Sequence, residues 1–167
     1  AGTPIVFLVD FTPFFGQQNE IFAQFWETYK LDSITGQWDY VEPALFGYAV
    51  GKIIESFTSF YRDKPNIIAQ FHEWMTGTGI LYLEKYAPWI ATVFTTHATV
   101  LGRALSGENR LVHNLSSKNF DPAAEVKKFG VSVSAKHWLE TAAAKNAISF
   151  TTVSGITAME ARDVLGR

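Results

Sequence analysis

Short runs of Val, Ile, Phe and Thr that alternate with segments of helical periodicity predict an α/β protein, a three-layer Rossmann-like parallel sheet flanked by helices. The runs are IVFLVD (5–10), NIIAQFH (66–72), IATVFTTH (90–97) and AISFTTVS (147–154). They are nearly continuous in apolar character, as strands covered on both faces must be. Strand followed by helix, repeated, implies right-handed crossovers, because each helix must cover the sheet face across which it returns. With 47% hydrophobic and 15% aromatic residues, the 167-residue chain can bury one substantial core, so 1–167 reads as one domain.

The elements follow in order. IVFLV at 5–9 has no basic flank, ends at Asp10 and is far shorter than a membrane span, so it reads as a first strand. Residues 11–40, with FTPFFGQQNE and LDSITGQWDY, read as an excursion. Over 41–61, Leu45, Tyr48, Ala49, Ile53, Phe57 and Phe60 recur three or four apart, the mark of an amphipathic helix, and Pro43 suits its first turn. Helices are predicted again over 74–86 and 135–147, the latter dense in good helix formers. A further helix falls within 152–165, with Ser154 as N-cap and Thr157 and Glu160 as a second capping-box pair. The polar, turn-rich stretch 106–130 reads as a long excursion carrying a short helix near 122–128. The chain begins AGTPIV and stops at LGR directly after a helical pattern, which suggests a piece of something longer.

Fourteen basic against sixteen acidic residues give a net charge of −2, so no broad positive field draws the chain to nucleic acid or to an anionic membrane. With no cysteine, disulfide frameworks, thiolate metal sites and cysteine nucleophiles are excluded together; a cytoplasmic setting fits.

Ligands of open parallel sheets bind beyond the carboxyl ends of the strands. At that edge the sequence places Asp10, then His72 and Glu73, then Thr95, Thr96 and His97, then Thr151, Thr152 and Ser154. Such a rim offers hydroxyls, imidazoles and free backbone N–H groups at helix starts to a polyhydroxylated or phosphorylated ligand. Thr95, Thr96 and Ser154 serve equally as helix caps, and His72 and Glu73 as a surface cap with Trp74 as hydrophobic staple. Arg103, six positions past His97, shares no helical face with it, so the two cooperate only if His97 precedes the helix proper. His113 and His137 read as ordinary surface or loop residues. HEWMT (72–76) has Thr76 where a zinc motif needs a second histidine. TVSGI (152–156) lacks the glycines of a nucleophile elbow. In GTGILY (77–82), Tyr82 replaces the third glycine of a dinucleotide fingerprint; Gly77 and Gly79 instead let a helix pack close to the sheet.

FHEWMTGTGI (71–80), FTTHATVLGRAL (94–105) and ETAAAKNAISFTTVSGITAMEA (140–161), with PIVFLVD and YVEPALFGYAV before them, resemble glycogen synthase of the animal and fungal type, in the same order and at similar spacing. The resemblance implies a retaining glucosyltransferase that moves glucose from a nucleotide sugar, UDP-glucose or ADP-glucose, to the non-reducing end of an α-1,4-glucan, without metal or other cofactor. It implies a two-domain enzyme of which this chain is the incomplete N-terminal, acceptor-side half, the C-terminal nucleotide-binding domain lying outside it. By the same resemblance His97 lies beside the donor glucose, Arg103 belongs to the donor side of the cleft, and His72 and Glu73 shape its floor; Thr96 is expected with them among the substrate-binding residues. Self-association of the full-length protein is compatible with this reading.

The chain also departs from the family pattern. It has no glycine-rich VGGIY-type loop, and Ser134 and Ala135 stand where the family has a tyrosine-histidine pair. The rivals are a starch synthase-like or sucrose-directed enzyme of the same architecture and a non-catalytic carbohydrate-binding module. The isolated chain is expected to be inactive.

Overall fold

Three of the predicted strands pair in a computed structural model of the chain, which describes residues 2–61, 67–110, 112 and 120–167. They are β1 (Ile68–His72), β2 (Ala91–Thr96) and β3 (Ser149–Thr152), parallel and in that spatial order. Phe71 pairs with Phe94 and Phe94 with Phe150, so one aromatic row crosses the sheet. His72 pairs with Thr95, and Thr95 with Thr151, which brings the polar strand ends into one line.

The run 5–10 joins no strand. Val6, Phe7 and Leu8 are 72%, 66% and 97% exposed, and Phe7 meets Phe57 edge-on at 6.4 Å between ring centroids. β-branched composition makes a strand only where a neighbour offers its hydrogen bonds, and the described residues beside β1 offer none to this segment.

The helices are α1 (Gln18–Tyr29), α2 (Trp38–Phe60), α3 (Gly77–Tyr86), α4 (Val100–Gly107), α5 (Pro122–Lys128), α6 (Gly130–Asn146) and α7 (Gly155–Leu165). A 3₁₀ turn, Thr12–Gln17, leads into α1. Together they replace much of the predicted excursion 11–40, because Ile21, Phe22 and Phe25 supply a buried helical stripe behind the turn-like Gly16. Asp121 caps α5 by accepting from Ala123 N–H at 3.0 Å, with Pro122 in the first turn, near the predicted 122–128.

Ala69 and Phe71 of β1 and Thr92, Phe94 and Thr96 of β2 turn inward to the core that α2, α3 and α6 complete. Ile68, Gln70, Ser149 and Thr151 on the opposite face are exposed, so among the described residues the helices cover one face of the sheet. The close approach of α3 rests on Gly79: a Cβ there would lie 2.5 Å from the Phe71 ring and 2.9 Å from the Gly47 carbonyl of α2. Trp74 follows β1 in a second 3₁₀ turn and stacks on Tyr40 of α2 with 6.1 Å between ring centroids, while Lys136 Nζ lies 5.4 Å from the Trp74 centroid. An ion pair from Lys136 to Asp39 ties α6 to α2 nearby.

Candidate functional site

The carboxyl ends of the strands converge on the loop between β2 and α4. β1 ends at His72, and Glu73 follows with φ 63° and ψ 163°, a conformation nearly confined to glycine. That turn keeps Glu73 N–H in the sheet, donating to Thr95 O at 3.0 Å, and throws the carboxylate across to the next loop. There Glu73 Oε1 accepts from the His97 backbone N–H at 3.0 Å and from Arg103 at 3.3 Å. His97 is exposed, and its Nε2 lies 3.1 Å from Nδ1 of His72, a hydrogen bond in which one ring donates and the other accepts. His72 is also exposed, and its carbonyl accepts from Thr76 Oγ1 at 2.8 Å.

Four of the five predicted site residues therefore meet: His72, Glu73, His97 and Arg103. His97 stands ahead of α4 while Arg103 lies within it, and Glu73 links the two. Thr96 does not reach the rim. It is fully buried, and its hydroxyl donates to Glu140 Oε1 at 3.1 Å and to Ala98 O at 3.3 Å. Strand alternation explains this, since Thr96 shares the inward face with Thr92 and Phe94. Of the remaining rim residues, Thr95 Oγ1 and Thr151 Oγ1 are 2.7 Å apart on the uncovered face, and Gln70 Nε2 donates to Thr95 at 3.1 Å. Ser154 caps α7 by accepting from Thr157 N–H at 3.1 Å, and Thr157 Oγ1 donates to the His97 carbonyl at 3.4 Å. Asp10 is exposed and accepts from Thr12; the next residue, Phe11, joins Pro43, Phe46 and Met75 in lining an open groove beside His72, with Glu42 at its margin.

The expectation of free N–H groups at the helix starts is corrected at α4. Thr99 N–H donates to Glu160 Oε1 at 2.8 Å, Val100 N–H to Glu140 Oε2 at 2.8 Å, and Gly102 N–H to the N-cap Thr99 Oγ1 at 2.9 Å. The positive end of α4 is thus answered by the protein's own oxygens. Glu140 and Glu160 are not among the residues that the sequence singles out for the site. Glu160 belongs to a capping-box pattern in the sequence, yet its carboxylate serves α4 rather than α7. Glu140 opens the 140–161 block of the resemblance, but nothing in the alanine-rich helix around it marks it as turned inward. It is fully buried, and burial pushes its carboxyl up to about 8, against the opposing pull of the Val100 and Thr96 hydrogen bonds.

His137 is likewise corrected: it is 1% exposed, on the inner side of α6 with Leu139 and Glu140. His113 lies outside the described residues. Among the described residues no group of three or more His, Cys, Asp or Glu is arranged to hold a metal ion, and no helix is long and apolar enough to cross a membrane.

The site can hydrogen-bond a polyhydroxylated ligand through two imidazoles and offer it one cation. The sequence pattern of the family described as Glycogen synthase matches residues 1–167. The chain is 36% identical over 167 residues to "Glycogen [starch] synthase" of Neurospora crassa and 32% identical over 166 residues to "Glycogen [starch] synthase isoform 2" of Saccharomyces cerevisiae. It is 34% identical over 167 residues to "Glycogen [starch] synthase, liver" of Rattus norvegicus. The Neurospora and Saccharomyces alignments each take in 99% of this chain and 23% of the relative, so the chain spans about a quarter of the length of these proteins. A family match over residues 1–167, with 32–36% identity to these fungal and animal relatives across 99% of the chain, establishes that the chain belongs to the glycogen synthase family.

Proposed function

We propose that the protein carrying this chain is a glucosyltransferase that moves glucose from a nucleotide sugar, with UDP-glucose the donor and ADP-glucose the alternative, to the non-reducing end of an α-1,4-glucan. The observation that carries the reading is the contact between His72 and His97, held at the sheet edge by Glu73 together with Arg103. Cleaving a glucosyl-phosphate bond builds positive charge on the sugar and negative charge on the departing diphosphate. Catalysis then rests on groups that fix the sugar and on cations that answer the leaving group.

His97 orients the donor glucose by hydrogen bonding, with His72 setting which of its ring nitrogens is free. Arg103, whose side chain is 62% exposed, is held to Glu73 by an ion pair of the weak, solvent-screened kind, so it can exchange that partner for a phosphate oxygen. Thr96 acts from below by anchoring the loop. The groove beside His72, with Phe11 and Phe46 against Glu42, suits the apolar face and hydroxyls of an acceptor glucose unit. No resident metal or cofactor is needed in this scheme, and a cytoplasmic setting and self-association of the whole protein are compatible with it.

The test is glucosyl transfer by the complete protein, with labelled UDP-glucose or ADP-glucose and glycogen as acceptor. Incorporation from UDP-glucose is expected, and none from the isolated chain 1–167. Glycogen binding by the complete protein without incorporation from either donor would favour a non-catalytic carbohydrate-binding role instead.

A further inference from the structure

We infer that Glu140 and Glu160 are positioning residues for His97, two carboxyl groups from separate helices that pin the loop on which its imidazole is carried. The inference rests on the glucosyltransferase reading only for its kinetic consequence. Between β2 and α4 the chain passes through His97, Ala98 and Thr99 without regular structure. Such a linker is ordinarily free to shift. Here it is tied at almost every step. Glu140 spans it from below, with Oε1 on the Thr96 hydroxyl at 3.1 Å and Oε2 on Val100 N–H at 2.8 Å. Glu160 takes Thr99 through both its N–H, at 2.8 Å, and its hydroxyl, at 2.7 Å. Glu73 takes the N–H of His97 itself.

Capping of α4 does not account for this. Thr99 already caps the helix through Gly102 N–H, which is the usual device. The first turn of α4 is moreover shaped to admit Glu160: a Cβ at Gly102 would lie 2.2 Å from its Oε1, inside any real contact distance. Nor is burial of an acid favourable in itself, since apolar residues of similar size usually stabilise a core at least as well. What the two carboxyl groups supply is geometry, gripping the chain on both sides of His97, at the Thr96 hydroxyl before it and at the Thr99 and Val100 N–H groups after it, from positions set by α6 and α7. A hydrogen bond from Thr157 of α7 to the His97 carbonyl adds to the same clamp.

The charge itself is dispensable. Glutamine can accept from Val100 N–H and donate to the Thr96 hydroxyl, or accept twice from Thr99, so the amide should reproduce each contact and leucine should not. The experiment compares Glu140→Gln, Glu140→Leu, Glu160→Gln and Glu160→Leu in the complete protein. Misplacing a group that orients the reacting sugar is expected to lower kcat about 100-fold in the leucine variants, and the glutamine variants are expected within about threefold of the parent. KM for the donor should change by no more than about threefold, as for an interaction felt chiefly in the transition state.

A merely structural role would lower the melting temperature of the leucine variants and leave kcat unchanged below it, which would overturn the inference. Imidazole nitrogen chemical shifts of His97, read by NMR, supply a second measurement that needs no turnover. They should move in the leucine variants and hold in the glutamine variants, and unmoved shifts in a folded leucine variant would also overturn it. Should the parent protein transfer no glucose, the functional reading fails while the NMR comparison still decides the positioning. Should Glu140→Leu fail to fold, Glu160→Leu, at a partly exposed site, decides between the two roles alone.

Discussion

At Glu73 the backbone and the side chain make opposite demands. A φ of 63° with ψ of 163° costs a residue bearing a Cβ roughly 1–3 kcal/mol, yet the side chain here must be long enough to bring an acceptor oxygen to both His97 and Arg103. Glycine relieves the backbone and deletes the link; alanine keeps the strain and deletes the link as well. Glu73→Gly should therefore be more stable than Glu73→Ala by about 1 kcal/mol, even after the entropy that glycine adds to the unfolded chain. Urea unfolding of the two variants measures the difference, and the reverse order would show that the backbone at this position is not strained. His72, Glu73 and His97 are legible in the sequence because strand ends in a parallel sheet point to one edge, whereas Arg103, within α4, is singled out only by the family resemblance. The dihedral at Glu73 is not, since it follows from where β2 lies. Thr96 reads as a rim residue because strand boundaries near 97 leave the phase of the alternation undetermined by one position.

Among the elements, α6 illustrates how a helix can carry function on its inner face. Its buried side includes Ala135, His137, Leu139, Glu140, Ala143 and Ala144, a band in which two titratable groups are embedded. An amphipathic pattern records the apolar members of such a band. It does not say which acid or histidine has turned inward, and so Glu140 and His137 are illegible while the helix itself is not. His137 Nδ1 is buried without a hydrogen-bond partner among the described residues, and burial, helped by the nearby Lys145 charge, lowers its pKa from 6.5 to about 4.

The folded state therefore takes up this proton less readily than the unfolded chain. His137 leaves stability intact above pH 6.5 and erodes it as pH falls toward about 4, by up to about 1.4 kcal/mol per pH unit. His137→Leu should flatten that acid limb, as followed by urea midpoints between about pH 7 and pH 4. A variant whose stability falls as steeply as that of the parent would show that another group is responsible. Elsewhere, α2 and α3 are legible from spacing, whereas α1 is hidden behind Gly16 and the glutamines that precede its buried stripe. The 5–10 run has strand composition but no strand partner among the described residues, which composition cannot reveal.

For the molecule as a whole, the sheet separates two kinds of surface. Helices pack against the face that bears Phe71, Phe94 and Phe150, while the other face carries the polar line Gln70, Thr95 and Thr151 beside an exposed Ile68. The His72–Glu73–His97–Arg103 cluster sits where these surfaces meet the carboxyl edge of the sheet. Its members arise from β1, the β2–α4 loop and α4, and its supports from α6 and α7, so elements far apart in the chain bear on the loop that carries one imidazole. This distribution explains why the resemblance to glycogen synthases lies in separated blocks: FHEW, TTHAT with LGR, and the segment from Glu140 to Glu160 are distant in sequence and adjacent in space.

The central claim is that His97 holds the sugar during transfer, and substitution by alanine in the complete protein tests it most directly. Loss of a positioned hydrogen bond at the reacting sugar should lower kcat about 100-fold or more, with the melting temperature within about 2 °C of the parent because the imidazole is exposed. Glucosyl transfer at the parental rate by a folded His97→Ala protein would contradict the account.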